Sequence, residues 1–115
     1  MADAAPAPED FALAELLARR VAGGRPYLEF LRVPHLSAGL YVLPRGGLDA
    51  QSPHTEDELY FVLAGRAQLR VGQHSRPVAP GSLSFVPAGV PHAFHDVEEE
   101  LRLLVVFGPA EKQTG

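Results

Sequence analysis

Gly65, Gly72, Gly81, Pro87, Gly89 and Pro91 punctuate the second half of this 115-residue chain at short, nearly even intervals. The gaps suit strands, and within them apolar and polar side chains alternate as half-buried strands require. Glycine admits the tight backbone of a turn, and proline removes a ladder donor, so both mark strand ends. Upstream, Tyr27–Val33 alternates and stops at Pro34, and Leu36–Leu43 runs into the turn Pro44-Arg45-Gly46-Gly47. Glu58–Ala64, Arg66–Val71, Arg76–Ala79, Ser82–Val86 and His92–Asp96 follow as strands. Leu101–Phe107 reads as a strand buried on both faces, with Glu98-Glu99-Glu100 as a solvated turn ahead of it. About seven to nine short strands at this spacing indicate a sandwich or barrel, not alternating strands and helices.

The N-terminal quarter has a different period. Phe11, Ala14, Leu17, Ala18 and Val21 share one helical face, acids stand at the start, Arg19 and Arg20 at the end, and Gly23-Gly24 stops the run. The expected organisation is a disordered tail over 1–8, a helix over 9–24, a β-barrel over 25–109 and a polar tail over 110–115.

Composition removes several function classes. The net charge of −4 gives no electrostatic case for nucleic acid or an anionic membrane. No cysteine is present, which excludes disulfides, thiolate metal sites and cysteine nucleophiles. No apolar run approaches the roughly 20 residues of a membrane-spanning helix, and the N-terminus lacks the basic and apolar regions of a secretory signal, so the cytoplasm is the expected location. Serines occur without a G-x-S-x-G context, and no phosphate-cradling glycine loop is present.

The chemistry concentrates between Ser52 and Asp96. His54, Glu58, Tyr60 and Val62 have equal parity, so a strand without a bulge aims all four at one face. An ionised carboxylate projecting into an apolar interior needs a compensating cation, and a divalent metal held by Glu oxygen and His nitrogen is one. His92 opens another inward-facing strand and would complete a two-His-one-carboxylate face. Tyr60 and Phe94 share parity with these residues, so they either line a substrate pocket or pack in the core. Glu56 and Asp57 read as solvated, with Asp57 also placed to orient His54. Arg45, Arg70 and Arg102 suit either an anionic substrate or surface ion pairs.

These residues carry a family pattern. Gly81, Pro87, Gly89 and His92 match the second cupin motif, G-x5-P-x-G-x2-H-x3-N, with Asp96 in place of Asn; His54, Glu58 and Gly65 match the second half of the first motif. Fifteen residues separate Gly65 from Gly81, the short spacing of microbial members. Over roughly residues 26–108 the chain resembles a small single-domain cupin, which implies an all-β jelly-roll barrel with one short N-terminal helix. The resemblance makes His54, Glu58 and His92 three of the four usual metal ligands. Ser52 stands where the remaining His would be, and the amide oxygen of Gln51 could fill the gap if Pro53 kinks the chain. The implied cofactor is a divalent metal, Fe(II) first, with Mn, Zn, Ni or Cu as alternatives. The implied activity is dioxygenase-type chemistry on a small organic molecule; metal-dependent isomerisation, epimerisation or cyclisation and non-catalytic ligand binding stand beside it. A homodimer is the expected assembly.

Overall fold

A computed structural model describes residues 6–49 and 53–112. One helix, α1 (Leu13–Gly23), precedes six strands: β1 (Tyr27–Val33), β2 (Leu36–Leu43), β3 (Asp57–Val71), β4 (His74–Val78), β5 (Leu83–Val86) and β6 (His92–Gly108). The strands run antiparallel in the order β1-β2-β6-β3-β4, with β5 also paired to β3, and form an all-β jelly roll. No helix among the described residues is long and apolar enough to cross a membrane.

The strand count falls short of expectation because two expected interruptions are not interruptions. Gly65 does not end a strand: β3 runs through it at φ +92°, and the pairing with β6 shifts register three times between Val62 and Gln68. A Cβ at Gly65 would lie 2.1 Å from the Glu100 carbonyl oxygen, so the two backbones approach closely enough only because residue 65 has no side chain. Glu98-Glu99-Glu100 is likewise strand, its side chains exposed while the backbone continues β6. Leu101–Phe107 is also not buried on both faces. Leu101, Leu103, Val105 and Phe107 point inward and are at most 2% exposed, whereas Arg102, Leu104 and Val106 are half-buried.

These bulges have a geometric result. Register places Glu58 opposite Phe107 and Val71 opposite His92, the two ends of one long ladder. Bulges bend a strand and increase its twist, and here the bent ladder returns on itself around a core that includes Tyr60, Val62, Leu69, Phe94 and Leu103. Its ends meet inside the barrel.

The helix is shorter than the expected 9–24 and buries a different face. Ala12 is extended (φ −95°, ψ 126°), and Phe11 packs edge-on against Phe30 with ring centroids 4.8 Å apart, which takes the first expected turn out of helical geometry. Leu16, not Val21 or Ala14, is the buried residue, packed with Leu40 and Val42 on the outer face of the sheet. Gly24 adopts the left-handed conformation (φ 72°), and its N–H donates to the Arg20 and Val21 carbonyls. Leu59, Leu83 and Phe85 remain exposed beside this helix-covered area.

Candidate metal centre

Glu58 is the second residue of β3, held between β5 (Val86) and β6 (Phe107), and is 2% exposed. Four residues earlier the chain is not yet strand, so His54 sits on the loop leading into β3 rather than in line with Glu58. His92 opens β6 after the Pro87–Pro91 turn. That turn is fastened to the His54–Asp57 segment from both sides: the Gly89 N–H donates to the His54 carbonyl (2.7 Å), and the Ala88 N–H donates to Asp57 Oδ1 (2.9 Å). Two stretches far apart in sequence therefore deliver their imidazoles to the same carboxylate. Asp57 anchors the turn instead of orienting His54.

One ligand atom each from His54, Glu58 and His92 lies within 4.8 Å of the others. His92 Nε2 stands 2.9 Å from Glu58 Oε1, and His54 Nε2 stands 4.0 Å from it. Despite that short contact Glu58 Oε1 makes no aligned hydrogen bond: the approach is close, but the oxygen lies off the ring N–H direction. The tautomer sharpens the point. His92 Nδ1 is 2.9 Å from the Val90 carbonyl, which can only accept, so Nδ1 carries the proton. In the neutral ring Nε2 can accept from the Tyr60 hydroxyl at 3.1 Å, which leaves the buried Glu58 oxygen beside it to be balanced by a second ring proton or by a metal. Ions coordinated by His and carboxylate sit about 2.0–2.2 Å from each ligand atom, which calls for ligand separations of about 3 to 4 Å. The donors present fit a divalent metal.

The surrounding wall is aromatic and acidic. A cavity of about 190 Å³ is lined by Tyr27, Tyr41, His54, Glu58, Tyr60, Val105, Phe107 and Glu111. Tyr60 hydroxyl lies 3.1 Å from His92 Nε2. His92 itself stands just behind the wall, reached past Glu58 and Tyr60. Burial, then the negative Glu111, Glu29 and Glu58, push the Tyr27 phenol well above its ordinary value, so it is a neutral donor. Its hydroxyl is buried without a hydrogen-bond partner among the described residues. Gly39 makes room for that ring, since a Cβ there would fall 2.1 Å from Tyr27 Cζ. Tyr41 donates to Asp49 Oδ1 at 2.6 Å, and burial followed by this bond likewise raises its pKa.

Several sequence expectations are revised. Phe94 is not among the residues that line the cavity; it is core, its ring 4.8 Å from Tyr60. Glu56 is not solvated but 4% exposed, accepting from the Thr55 hydroxyl and, at 3.4 Å, from the Lys112 N–H. None of Arg45, Arg70 and Arg102 lines the cavity, and Arg102 pairs with Glu100 on the surface. Gln51 and Ser52 lie outside the described residues. Glu111, expected in a featureless polar tail, is the residue that sequence reasoning missed: its Oε2 stands 3.1 Å from His54 Nδ1.

Both imidazoles hold protons more tightly than usual. For His54 the Glu111 hydrogen bond raises the pKa, opposed by burial; for His92 burial lowers it but is outweighed by the close Glu58 carboxylate and the Val90 hydrogen bond. A folded pKa above the ordinary 6.5 contributes stability fully below that value, and the contribution is lost as pH rises through the raised folded pKa. Metal binding displaces the same protons and is strengthened by rising pH. Thermal melts on the alkaline side of 6.5 are therefore expected to show the metal-free protein weakening while the protein with added Zn(II) gains stability relative to it. Parallel pH profiles would contradict this.

The comparisons with known proteins converge. A family model described as "Cupin domain" matches residues 39–107. The uncharacterized Streptomyces coelicolor protein SCO3923 is 52% identical over 101 residues, covering 88% of this chain and 96% of that protein. The dimethylsulfoniopropionate lyase DddQ of Ruegeria pomeroyi is 34% identical over 73 residues, covering 63% of this chain and 36% of the enzyme; the chain thus spans about a third of that relative. An RmlC-like protein of Methanocaldococcus jannaschii with a double-stranded β-helix fold superposes with a TM-score of 0.67 at 19% identity, over 72% of this chain and 78% of that one. At that identity the likeness speaks for the fold alone.

Proposed function

The chain belongs to the cupin family, and from that premise we propose that it is a metal-dependent enzyme acting on a small organic molecule. His54, Glu58 and His92 hold a divalent ion, with Fe(II) the first choice for two imidazoles and one carboxylate. The observation that carries this reading is the contact of Glu58 Oε1 with His92 Nε2 at 2.9 Å, unaligned as a hydrogen bond, in a ring whose other nitrogen is committed to Val90.

A bound ion would supply Lewis-acid polarisation of a substrate oxygen. The chain's own groups set the rest. A cavity of about 190 Å³ admits only a small molecule, below the roughly 300–1,000 Å³ of drug-sized pockets. Tyr27 presents a neutral phenol O–H to an acceptor on the ligand. The Tyr60 hydroxyl, within hydrogen-bond distance of His92, is placed to hold or pass a proton at the centre. These proton-handling groups favour non-oxidative chemistry, an elimination or isomerisation. The lyase activity named for the 34%-identical Ruegeria enzyme supports the same class. Dioxygenation is the second reading, supported by the two-His-one-carboxylate arrangement itself.

Protein purified without chelator is expected to carry a divalent first-row metal. A preparation that holds none and takes up neither Fe(II), Mn(II) nor Zn(II) would overturn the proposal. Turnover undiminished under strict anaerobiosis selects the non-oxidative reading, and oxygen uptake coupled to turnover selects the other.

A further inference from the structure

The segment after β6 is not a loose end. The Ala110 N–H donates to the Pro34 carbonyl (3.4 Å), the Glu111 N–H to Ser37 Oγ (2.9 Å) and the Lys112 N–H to Glu56 Oε2 (3.4 Å). The Arg32 guanidinium also donates to the Glu111 carbonyl. Ser37 is fully buried and Glu56 nearly so, so these are built anchors rather than surface contacts. Held at four points, residues 110–112 form a strap beside the cavity, with the Glu111 side chain part of its wall.

We propose that Glu111 is a positioning residue for the metal centre. It acts through His54, and the inference rests on the metal-binding reading above. Its Oε2 lies 3.1 Å from His54 Nδ1, while His54 Nε2 is the atom nearest Glu58. Among the described residues Glu111 is not in the group whose ligand atoms converge. A carboxylate can only accept, so it fixes the proton on Nδ1, and the neutral ring then presents its Nε2 lone pair to the centre. Loss of that acceptor removes the group that holds the Nδ1 proton. A carboxylate behind a ligating imidazole also raises its basicity, and loss of such a partner typically lowers metal affinity 10–100-fold. His54 needs this more than His92 does, because it stands on a loop, whereas His92 begins a strand and has its own backbone acceptor. The strap is thus a working part of the centre, supplied by the segment that follows β6.

The test compares wild type with Glu111→Gln and Glu111→Leu, each checked for folding by its melt. Zn(II) affinity is read by chelator competition, and the His54 tautomer by imidazole ¹⁵N NMR of the metal-free protein at alkaline pH. Wild type is expected to show the Nδ1–H form. Glu111→Leu is expected to lose that preference and about 10–100-fold in affinity. Glu111→Gln, which keeps an acceptor without charge, should fall between. Wild type that binds Zn(II) with both variants equal to it in affinity and tautomer would overturn the proposal. If Glu111→Leu does not fold, Glu111→Gln decides: an affinity and a tautomer indistinguishable from wild type overturn it. If wild type binds no metal, the metal reading fails, and the NMR arm alone decides whether Glu111 sets the ring.

Discussion

Glu58→Gln is expected to strip the centre of its metal while leaving the folded chain at least as stable as before. The substitution keeps size and shape, so β3, β5 and β6 have no reason to move. It removes the one anionic group that both imidazoles face, at 2.9 and 4.0 Å. Metal affinity should fall by more than the 10–100-fold typical of losing a partner one step removed from a ligand, so about 100-fold is the lower bound. Stability should not fall with it. Burying an ionised carboxylate has an effective penalty of several kcal/mol, and Glu58, 2% exposed, has no aligned hydrogen bond at Oε1 to offset it. A neutral amide removes that penalty, and its N–H₂ can donate to His92 Nε2 or the Tyr60 hydroxyl. The expected pattern is therefore loss of bound metal with an unchanged or raised melting temperature of the metal-free protein. Wild-type metal content in Glu58→Gln would end the assignment. Unfolding of the variant would mean that the carboxylate is structural.

The second large effect is far from the cavity. Gly65→Ala is expected to destabilise the fold by about 2–6 kcal/mol, combining backbone strain of about 1–3 with overpacking of about 1–3 kcal/mol. The added Cβ would lie 2.1 Å from the Glu100 oxygen and 2.7 Å from Leu101 Cα. Both belong to the backbone of the central strand, which cannot swing aside as a side chain could. Gly81→Ala is the control. Its φ is +93°, nearly that of Gly65 at +92°, but nothing lies within 4 Å of the added Cβ. It should cost only the strain, about 1–3 kcal/mol. Urea melts of the two variants isolate the close approach; equal losses would show that conformation alone makes residue 65 glycine.

Why some of this was legible in the sequence and some was not follows from which physics each signal reports. Pro34 and the turn Pro44-Arg45-Gly46-Gly47 marked where β1 and β2 end, although β2 is buried along nearly its whole length because α1 packs on Leu40 and Val42. Alternation could not show that Gly65 continues a strand, since a turn glycine and a bulge glycine differ only in what packs against them. Parity brought Glu58 and Tyr60 to one face correctly, and His54 arrived there by a loop that parity does not describe. The reading of His92 as the start of another inward-facing strand put it with them, and the likeness to the family motifs agreed. Phe94 shares parity with His92, yet parity says which face, not whether a side chain meets open space or another ring. Glu111 carried no signal at all. A single acid among polar residues gains meaning only from anchors on β1, β2 and the loop before β3, and those contacts are wholly non-local.

The bent ladder has one further implication. Side-chain direction along a strand reverses with every residue, so a slip of one position where β3 and β6 cross the bulges would turn His92 out of the barrel while still leaving two paired strands. Gly65 sits at that crossing and helps fix the register. Misregistered molecules would look well folded by secondary structure and would still be chemically silent.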